Sequence, residues 1–343
     1  MLAVPDSMKA AFVRQRGSAD AIVVGEVAVP QPGEGELLVR VSATAVNHVD
    51  TFVRSGAYRT PMTFPFTIGR DLVGEVVALG AGLEGAGWRI GDRVFCHSMG
   101  HAGRQGAAAQ YVSVAAERVY HAPRDCDDVQ LVAALHPVAT AYLALHEHGR
   151  MADGANVFIG GAAGNVGRAA VALAVASDAH VIATASGNDH ARCRAWGANT
   201  LWDYRESISA DRVYEVAPHG VDVWLDTSDH LQLDMAVEAL ALRGRIVLMS
   251  GMGAHPPLPA GALYTKDASV CGFAISNASV AELARSARAI TQLVDTSAWP
   301  MFDVVQLPLA QAAQAHRMLE NGEARGIRVV LRPSDDGDAA AHG

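Results

Sequence analysis

A glycine-rich turn that follows an apolar run decides more about the fold of this chain than any other segment. The run VFIGG, residues 157–161, leads into AAGNVG, residues 162–167, and then into an apolar helical run. Such a turn lets backbone N–H groups approach a pyrophosphate, whose negative charge faces the helix N-terminus. We therefore predict a dinucleotide site there, with contacts from Gly161, Gly164, Asn165, Val166 and Gly167. The alternative is that these glycines serve helix–strand packing alone.

Short β-branched runs alternate with helical segments from this turn onward. The runs that follow it are HVIATA, VDVWLD and RIVLMS, and each is separated from the next by a segment with helical spacing. This alternation is typical of a parallel sheet with crossover helices. The sequence therefore predicts an α/β fold whose doubly wound parallel sheet forms a dinucleotide-binding domain over residues 128–278.

The rest of the chain has a different pattern. From residue 8 to about residue 119, short β-rich runs are separated by Gly and Pro, which predicts a barrel-like β domain over residues 1–127. After residue 278 the regular alternation is lost, so residues 279–343 are expected to return to the first domain. The last ten residues, 334–343, are small and acidic and are predicted to be disordered.

Composition excludes several classes of function. The 343 residues are 50% hydrophobic and 18% charged, which fits a globular protein. The formal net charge is −9 and no basic block is present, so nucleic acid and anionic membranes are poor candidates as partners. The four cysteines are scattered singly and no secretory pattern precedes them, which favours a reducing compartment, the cytoplasm.

The tip of the second strand of the parallel sheet bears on which cofactor binds. HVIATA ends at residue 185, where an NAD-binding domain places a carboxylate on the ribose 2′-hydroxyl. This chain has Ser186 and Gly187 instead, followed by His190 and Arg192, a set that suits a 2′-phosphate. NADPH is therefore favoured, while the nearby Asp189 keeps NADH open.

Further segments make a resemblance specific. They are AVNHVD (residues 45–50) followed by RSGAY, IGRDLVG (68–74), GRQGAAAQYV (103–112) and the nucleotide loop AAGNVG. With the order of the elements, they make the chain resemble a medium-chain dehydrogenase/reductase, in particular the zinc-free quinone oxidoreductase (zeta-crystallin-like) branch. The resemblance implies a GroES-like catalytic domain built from both chain ends, a central Rossmann domain and a homodimer.

The resemblance also allows the zinc question to be asked of individual residues. The three positions that hold the catalytic metal in zinc alcohol dehydrogenases correspond here to Asn47, Arg70 and His136. Only the histidine could coordinate zinc, whereas a catalytic zinc needs three protein ligands. The structural zinc lobe needs four clustered cysteines, and Cys96 stands alone. We therefore predict no metal.

Two residues of the first domain match side chains that line the family's reaction cleft. Asn47 could donate its amide to a developing oxyanion, and Tyr58 could donate a proton, although solvent could supply the same proton. Asn47 could instead cap the helix that starts near Asp50. Tyr58 could instead pack against Pro61 and Phe64 at the rim.

The resemblance implies further cofactor contacts. Thr140 matches a nicotinamide-contacting threonine, unless its hydroxyl bonds back to its own helix, and Tyr204 matches a tyrosine near the 2′-phosphate. The remaining implied contacts are Ser250, Gly251 and Phe273. The chain departs from its relatives at Ser228–Asp229, where a Gly-Gly is frequent, and at His190, where a lysine is frequent.

These observations predict a zinc-independent, NADPH-dependent reductase that delivers hydride to a quinone or similar small electrophilic acceptor. A 2-alkenal or enoyl reductase is an alternative with the same cofactor, although the acidic balance does not favour a coenzyme A substrate. An NADPH-binding protein with little turnover is an alternative of another class. A zinc alcohol dehydrogenase ranks third because of the missing ligands.

Overall fold

The structure is a computed structural model, and it describes residues 4–228, 232–249, 253 and 255–333. Contacts divide the chain into two compact units. The first unit combines Met1–His136 with Met301–Gly343, and the second is Pro137–Pro300. The predicted tail, residues 334–343, lies outside the described residues.

The strands of the described chain are β1 Ser7–Val13, β2 Ile22–Ala28, β3 Glu36–Val46, β4 Phe66–Thr67, β5 Leu72–Leu79, β6 Arg93–Cys96, β7 Tyr111–Ala115, β8 Tyr120–His121, β9 Asn156–Gly160, β10 His180–Ala185, β11 Thr200–Asp203, β12 Val221–Asp226, β13 Leu240–Leu248, β14 Ser269–Gly272, β15 Asp303–Pro308 and β16 Ile327–Arg332.

The α-helices are α1 His48–Ser55, α2 Asp128–Tyr142, α3 Asn165–Ala176, α4 His190–Ala195, α5 Ala210–Val216, α6 Leu233–Ala239, α7 Ala260–Thr265, α8 Val280–Val294 and α9 Ala312–Glu320. A π-helical segment, Leu143–His148, continues α2.

The first unit is β-rich, as its sequence predicts. Its larger sheet has the order β15-β16-β3-β5-β6-β8, with β7 also paired to β3, and a smaller sheet has the order β2-β1-β4. The carboxyl-terminal strand β16 pairs antiparallel with β3, so that Val329 lies opposite Val46. The prediction that the end of the chain rejoins the first domain is thereby confirmed.

The second unit contains the doubly wound sheet that the alternation predicts. Its six described strands are all parallel and have the order β11-β10-β9-β12-β13-β14. Numbered from β9, this is the 3-2-1-4-5-6 order of a Rossmann fold. Strands β10 and β11 lie on one side of β9 and the next three strands on the other, so the order of strands reverses beside β9. The central strands are buried on both faces because helices cover them, which explains their continuous apolar runs.

The domain boundary after β14 requires a correction. The prediction assigned residues 279–343 to the first domain, but α8 belongs to the second unit. An ion pair between Arg285 of α8 and Glu147 of the π-helical segment joins two parts of this unit, with Arg285 Nη2 2.8 Å from Glu147 Oε2. The return to the first unit therefore begins only at Met301. The loss of strand–helix alternation after β14 misplaced the boundary.

One segment of the described chain has the length and composition of a membrane span. It is Asp128–His148, whose mean hydropathy is 1.3 in its most apolar window. Pro137 interrupts this stretch in the sequence, but the helix continues through it. Because 72% of that window is buried inside the protein, the segment fits a core helix, which passes the same length and composition test.

Candidate active site

The glycine-rich turn lies at the carboxyl end of β9, the first strand of the parallel sheet. Gly161 adopts a left-handed conformation, with φ of 74°, which favours glycine. Its N–H donates to Thr184 Oγ1 at 3.2 Å, and the N–H of Ala162 donates to the carbonyl of the same threonine at 2.9 Å. The second strand thus holds the turn in place.

The helix after the turn begins without a side-chain cap. Gly164 is the N-cap residue of α3, so no side chain caps the helix, and Asn165 and Val166 form its first turn. A Cβ atom on Gly167 would lie 2.2 Å from the carbonyl oxygen of Gly161, so only glycine fits there. The structure therefore brings all five predicted residues together around a helix N-terminus that is open to an anion.

At the tip of β10, the predicted 2′-phosphate contacts surround a carboxylate. Ser186 Oγ donates to Asp189 Oδ2 at 2.9 Å, and Arg192 Nη1 lies 3.7 Å from Asp189 Oδ1. His190 Nε2 lies 3.3 Å from the carbonyl oxygen of Ala185. The ion pair between Arg192 and Asp189 is half-exposed, so an anionic ligand could replace Asp189 as the partner of Arg192.

Sequence reasoning missed several groups near this tip. The N–H of Gly187 donates to Asp203 Oδ2 at 2.9 Å, and Arg205 binds both oxygens of the same carboxylate at 2.9 and 2.6 Å. These bonds hold the pKa of Asp203 below its usual range. Tyr204, which sequence reasoning did single out, is half-exposed between these two residues, and its ring lies 5.9 Å from the Arg205 guanidinium carbon.

Two arginines share one aromatic ring beside the nucleotide turn. The guanidinium carbons of Arg168 and Arg192 lie 4.3 and 5.1 Å from the ring centre of Trp196. Arg168 directly follows Gly167 in the first turn of α3. Its position in the sequence, one residue after the glycine-rich motif, could have indicated this contribution of positive charge.

The remaining predicted cofactor contacts are described unevenly. Thr140 is buried in α2, and its Oγ1 has no hydrogen-bond partner among the described residues, so the alternative that it bonds back to its own helix is wrong. Phe273 follows β14 and stacks on His148 at 4.7 Å between ring centres. Ser250, Gly251 and Asp229 lie outside the described residues.

In the first unit, Asn47 is the N-cap residue of α1 and the centre of a buried network. Its amide nitrogen donates to Asp71 Oδ2 at 2.8 Å, and its amide oxygen accepts from Arg328 Nη2 at 2.7 Å. Its backbone N–H donates to Asp50 Oδ2 at 2.8 Å. Arg328, from β16, also donates from Nε to the carbonyl oxygen of Ala133 at 2.8 Å. The role of Asn47 toward a substrate stays a prediction, because both ends of its amide are engaged within the protein.

Burial perturbs both carboxyl groups of this network. Desolvation raises the pKa of Asp50 to about 6, and desolvation together with the charge of Asp50 raises the pKa of Asp71 to about 7. The guanidinium groups of Arg70 and Arg328 oppose these shifts. At pH 7 Asp71 is therefore about half protonated, whereas Asp50 is mostly ionised.

The raised pKa values predict an unusual pH dependence of stability. A carboxyl group whose pKa is higher in the folded than in the unfolded chain stabilises the fold at about pH 4 and does so less as the pH rises through 7. Asp71→Asn should therefore gain about 2–4 kcal/mol in free energy of unfolding relative to the wild type between pH 4 and pH 8. Urea unfolding across this range measures the difference. A difference independent of pH would contradict the raised pKa, and the exposed Asp6→Asn serves as the control.

The other two positions that match zinc ligands lie near the same network. Burial and the charge of Arg70 hold the pKa of His136 well below its usual range, and they hold that of His97 at about 3. His136 Nδ1 is buried and has no hydrogen-bond partner among the described residues. Among those residues, no group of three or more His, Cys, Asp and Glu side chains is placed to hold a metal ion. The charges of Arg70 and Arg328 thus act on a buried imidazole that is neutral.

Tyr58 has an aromatic neighbour that the sequence did not reveal. Its ring centre lies 5.8 Å from that of His101, in a tilted arrangement. The loop that carries His101 is bonded to the tyrosine's own loop, because the N–H of Ala102 donates to Thr60 Oγ1 at 2.8 Å and the N–H of Gly103 to the carbonyl of Pro61 at 3.2 Å. Burial and nearby arginines lower the pKa of His101 to about 4, so this imidazole is neutral at pH 7.

Comparisons with known proteins agree with this architecture. Residues 33–124 match the family model of the alcohol dehydrogenase GroES-like domain, and residues 165–291 match that of the zinc-binding dehydrogenase. A quinone oxidoreductase from Lama guanicoe is 30% identical over 327 residues, covering 94% of this chain and 97% of that protein.

Two further proteins are informative. Prostaglandin reductase-3 from Mus musculus is 32% identical over 260 residues, covering 73% of this chain and 67% of that protein. A mycobacterial protein whose structure was solved in complex with NADPH superimposes with a TM-score of 0.79 at 29% identity, covering 95% of this chain and all of that one. The resemblance stated from the sequence is thereby confirmed. The chain is an oxidoreductase and belongs to the quinone oxidoreductase branch of the medium-chain dehydrogenase/reductase superfamily.

Proposed function

We propose that the protein uses NADPH to reduce a quinone or a similarly activated acceptor without a catalytic metal. The observation that carries the proposal is the composition of the three positions at which zinc-dependent relatives hold their metal. Asn47 has both ends of its amide bonded to Asp71 and Arg328, and Arg70 is a cation. A site with one histidine as its single suitable ligand does not fit zinc. No step is therefore assigned to a metal.

The residues present fit a dinucleotide. The turn made by the left-handed Gly161 leads into the N-terminus of α3, which no side chain caps and which can face a pyrophosphate, and the buried Thr140 hydroxyl has no hydrogen-bond partner among the described residues. Ser186, Arg192 and the Arg168 guanidinium support a 2′-phosphate, and the NADPH complex of a structural relative supports the same choice.

When bound, the reduced nicotinamide supplies a hydride to the acceptor, and the chain's residues orient the acceptor and supply the proton. Without a metal to polarise a simple ketone, only an acceptor that is already electrophilic reacts readily. We assign the proton to the phenol of Tyr58, whose ring lies against His101. A carbonyl-conjugated alkene, which is also electrophilic, is the second candidate acceptor, and similarity to prostaglandin reductase-3 supports the assignment of a reductase.

The test is cofactor oxidation by the full chain, followed at the nicotinamide absorbance. Each of NADPH and NADH is combined with 1,4-benzoquinone, a 2-alkenal or a simple ketone, with and without a zinc chelator. We expect NADPH to be oxidised by the quinone or the alkenal at a rate that the chelator leaves unchanged.

Three outcomes would contradict the proposal. Activity limited to the ketone and abolished by the chelator would show a metal enzyme. Preference for NADH would contradict the assignment of NADPH as the cofactor. No oxidation with any acceptor, despite tight NADPH binding, would favour a binding protein with little turnover.

A further inference from the structure

The second unit contains a cavity of about 800 Å³ at the amino ends of its parallel strands. It is lined by the segment 149–155 before β9, by residues 222 and 223 at the start of β12, by residues 242, 243 and 245 of β13, and by residues 267 and 269 at β14. Cofactors of such sheets bind at the opposite edge, beyond the carboxyl ends of the strands. The cavity is therefore separate from the nucleotide turn, and its volume lies in the range of small-molecule sites.

The backbone around this cavity is held in an uncommon conformation. Five non-glycine residues of the described chain have a left-handed φ, and three of them line the cavity: Arg150 at 53°, Arg243 at 65° and Asp267 at 50°. Glycine would adopt this conformation without strain. Strained non-glycine residues tend to gather at binding sites, where their side chains serve a function. The strain at three charged residues around one cavity points to a use for their side chains.

Hydrogen bonds fix this strained backbone. The N–H of Arg243 donates to the carbonyl of Lys266 at 2.7 Å, and the N–H of Asp267 donates to the carbonyl of Tyr264 at 3.2 Å. Lys266 Nζ in turn donates to the carbonyl of Leu240 at 2.8 Å. The loops that present Arg243 and Asp267 are therefore joined to one another and to the start of β13.

The charged side chains on the cavity wall do not neutralise one another in ion pairs among the described residues. Within the described parts of the chain, neither Arg150 nor Arg243 forms an ion pair. Arg245 donates from Nη1 to the carbonyl of His148 at 3.3 Å and also hydrogen-bonds to the thiol of Cys271. Arg150 and Arg245 both act on the thiol of Cys271, so the two guanidinium groups converge on the same region.

Carboxylates accompany these guanidinium groups. Asp153, Asp222 and Asp267 line the same cavity, and Asp222 accepts the backbone N–H of Asn156 at 2.8 Å. Three cationic and three anionic groups give a wall with no net charge. The guanidinium groups would attract a simple anion and the carboxylates would repel it. A ligand with hydroxyl groups could instead form hydrogen bonds with both kinds of group.

We propose that this cavity binds a small phosphorylated polyol. Guanidinium groups bind phosphate oxygens with paired hydrogen bonds, which Arg150, Arg243 and Arg245 can provide. Carboxylates accept hydrogen bonds from hydroxyl groups, which Asp153 and Asp267 can provide. The inference does not depend on the proposed reductase activity, since no residue of the cavity belongs to the nucleotide turn or to the Asn47 network.

Isothermal titration of the full chain with glucose 6-phosphate, inorganic phosphate and glucose tests the proposal. We expect glucose 6-phosphate to bind at least about tenfold more tightly than either part alone. Arg243→Gly should weaken that binding by about tenfold or more while relieving the left-handed strain, so its melting temperature should not fall. Asp178→Gly is the matched control, because Asp178 has a φ of 54° in the same unit but does not line the cavity.

NADP⁺ separates the two sites in the same experiment. If glucose 6-phosphate binds the cavity, saturating NADP⁺ leaves its affinity unchanged. Binding that NADP⁺ displaces and Arg243→Gly retains would place the sugar phosphate at the nucleotide turn and overturn the inference. Equal affinity for inorganic phosphate, or no binding of glucose 6-phosphate, would also overturn it, whatever the outcome of the reductase assay.

Discussion

Arg328→Met is expected to lower the free energy of unfolding by about 3–5 kcal/mol, because it removes one of the two guanidinium groups that act on a buried network. Arg328 is 5% exposed and bonds both Asn47 and the carbonyl of Ala133. Its charge also opposes the rise of the Asp71 pKa. In the variant, the buried carboxyl groups can lose their uncompensated negative charge only by binding protons. Urea unfolding should therefore show a larger loss at pH 8 than at pH 5.5.

Arg332→Met is the control for this prediction, because Arg332 lies on the same strand, β16. Arg332 is partly buried, and its hydrogen bond from Nη1 to Gln306 Oε1, at 3.2 Å, is exposed to solvent. Replacement there should change stability by about 1 kcal/mol or less. Equal losses in the two variants would mean that the aliphatic stem of Arg328, rather than its charge, stabilises the first unit. Arg328→Lys, which keeps the charge without the paired geometry, should fall between wild type and Arg328→Met.

Gly167→Ala is expected to weaken NADPH binding by about tenfold or more and to destabilise the second unit by about 1–3 kcal/mol. The added Cβ would lie 2.2 Å from Gly161 O and 2.7 Å from Ala162 Cα, which are backbone atoms of the phosphate-binding turn. Because neither atom can rotate away, the turn itself has to move. Fluorescence titration with NADPH and thermal unfolding measure the two effects.

Gly261→Ala provides the comparison, since it adds the same single carbon to a helix of the same unit. Apart from the adjoining residues and the backbone of its own helix, no described atom lies within 4 Å of the added Cβ at that position. We expect unchanged NADPH binding and a stability gain of up to about 1 kcal/mol, because alanine favours helix more than glycine does. NADPH affinity that survives in Gly167→Ala would show that the cofactor does not use this turn, and a normal melting temperature would show that the helix can shift at little energetic penalty.

The local sequence was a good guide to the second unit because its signals are periodic and adjacent. The strand, turn and helix around Gly161 follow one another directly, so hydrogen bonding and burial are largely determined by neighbouring residues. The strand-to-helix alternation also predicted the parallel sheet, whose order agrees with a Rossmann fold. The position of α8 escaped this reasoning, because an amphipathic helix can cover either unit and its sequence does not say which.

The candidate site of the first unit shows the opposite case. Asn47 and Arg70 were found by family resemblance, but the partners of Asn47 were not predictable. Arg328 lies 281 residues further along the chain, and nothing in its strand distinguishes it from the neighbouring Arg332. The contact of His101 with Tyr58 likewise depends on two loops meeting through the bonds of Thr60 and Pro61.

The sequence by itself therefore determined the fold class, the family and the nucleotide turn, because each of these depends on short-range patterns of apolar residues and glycine. The tertiary structure alone decided that Asn47 is bonded at both ends of its amide, that Asp50 and Asp71 share one buried network, and that three strained charged residues surround one cavity. These features arise where segments distant in sequence meet in a medium that excludes water. Burial there changes the energy of every charge, and no local pattern of residues records which charges will meet.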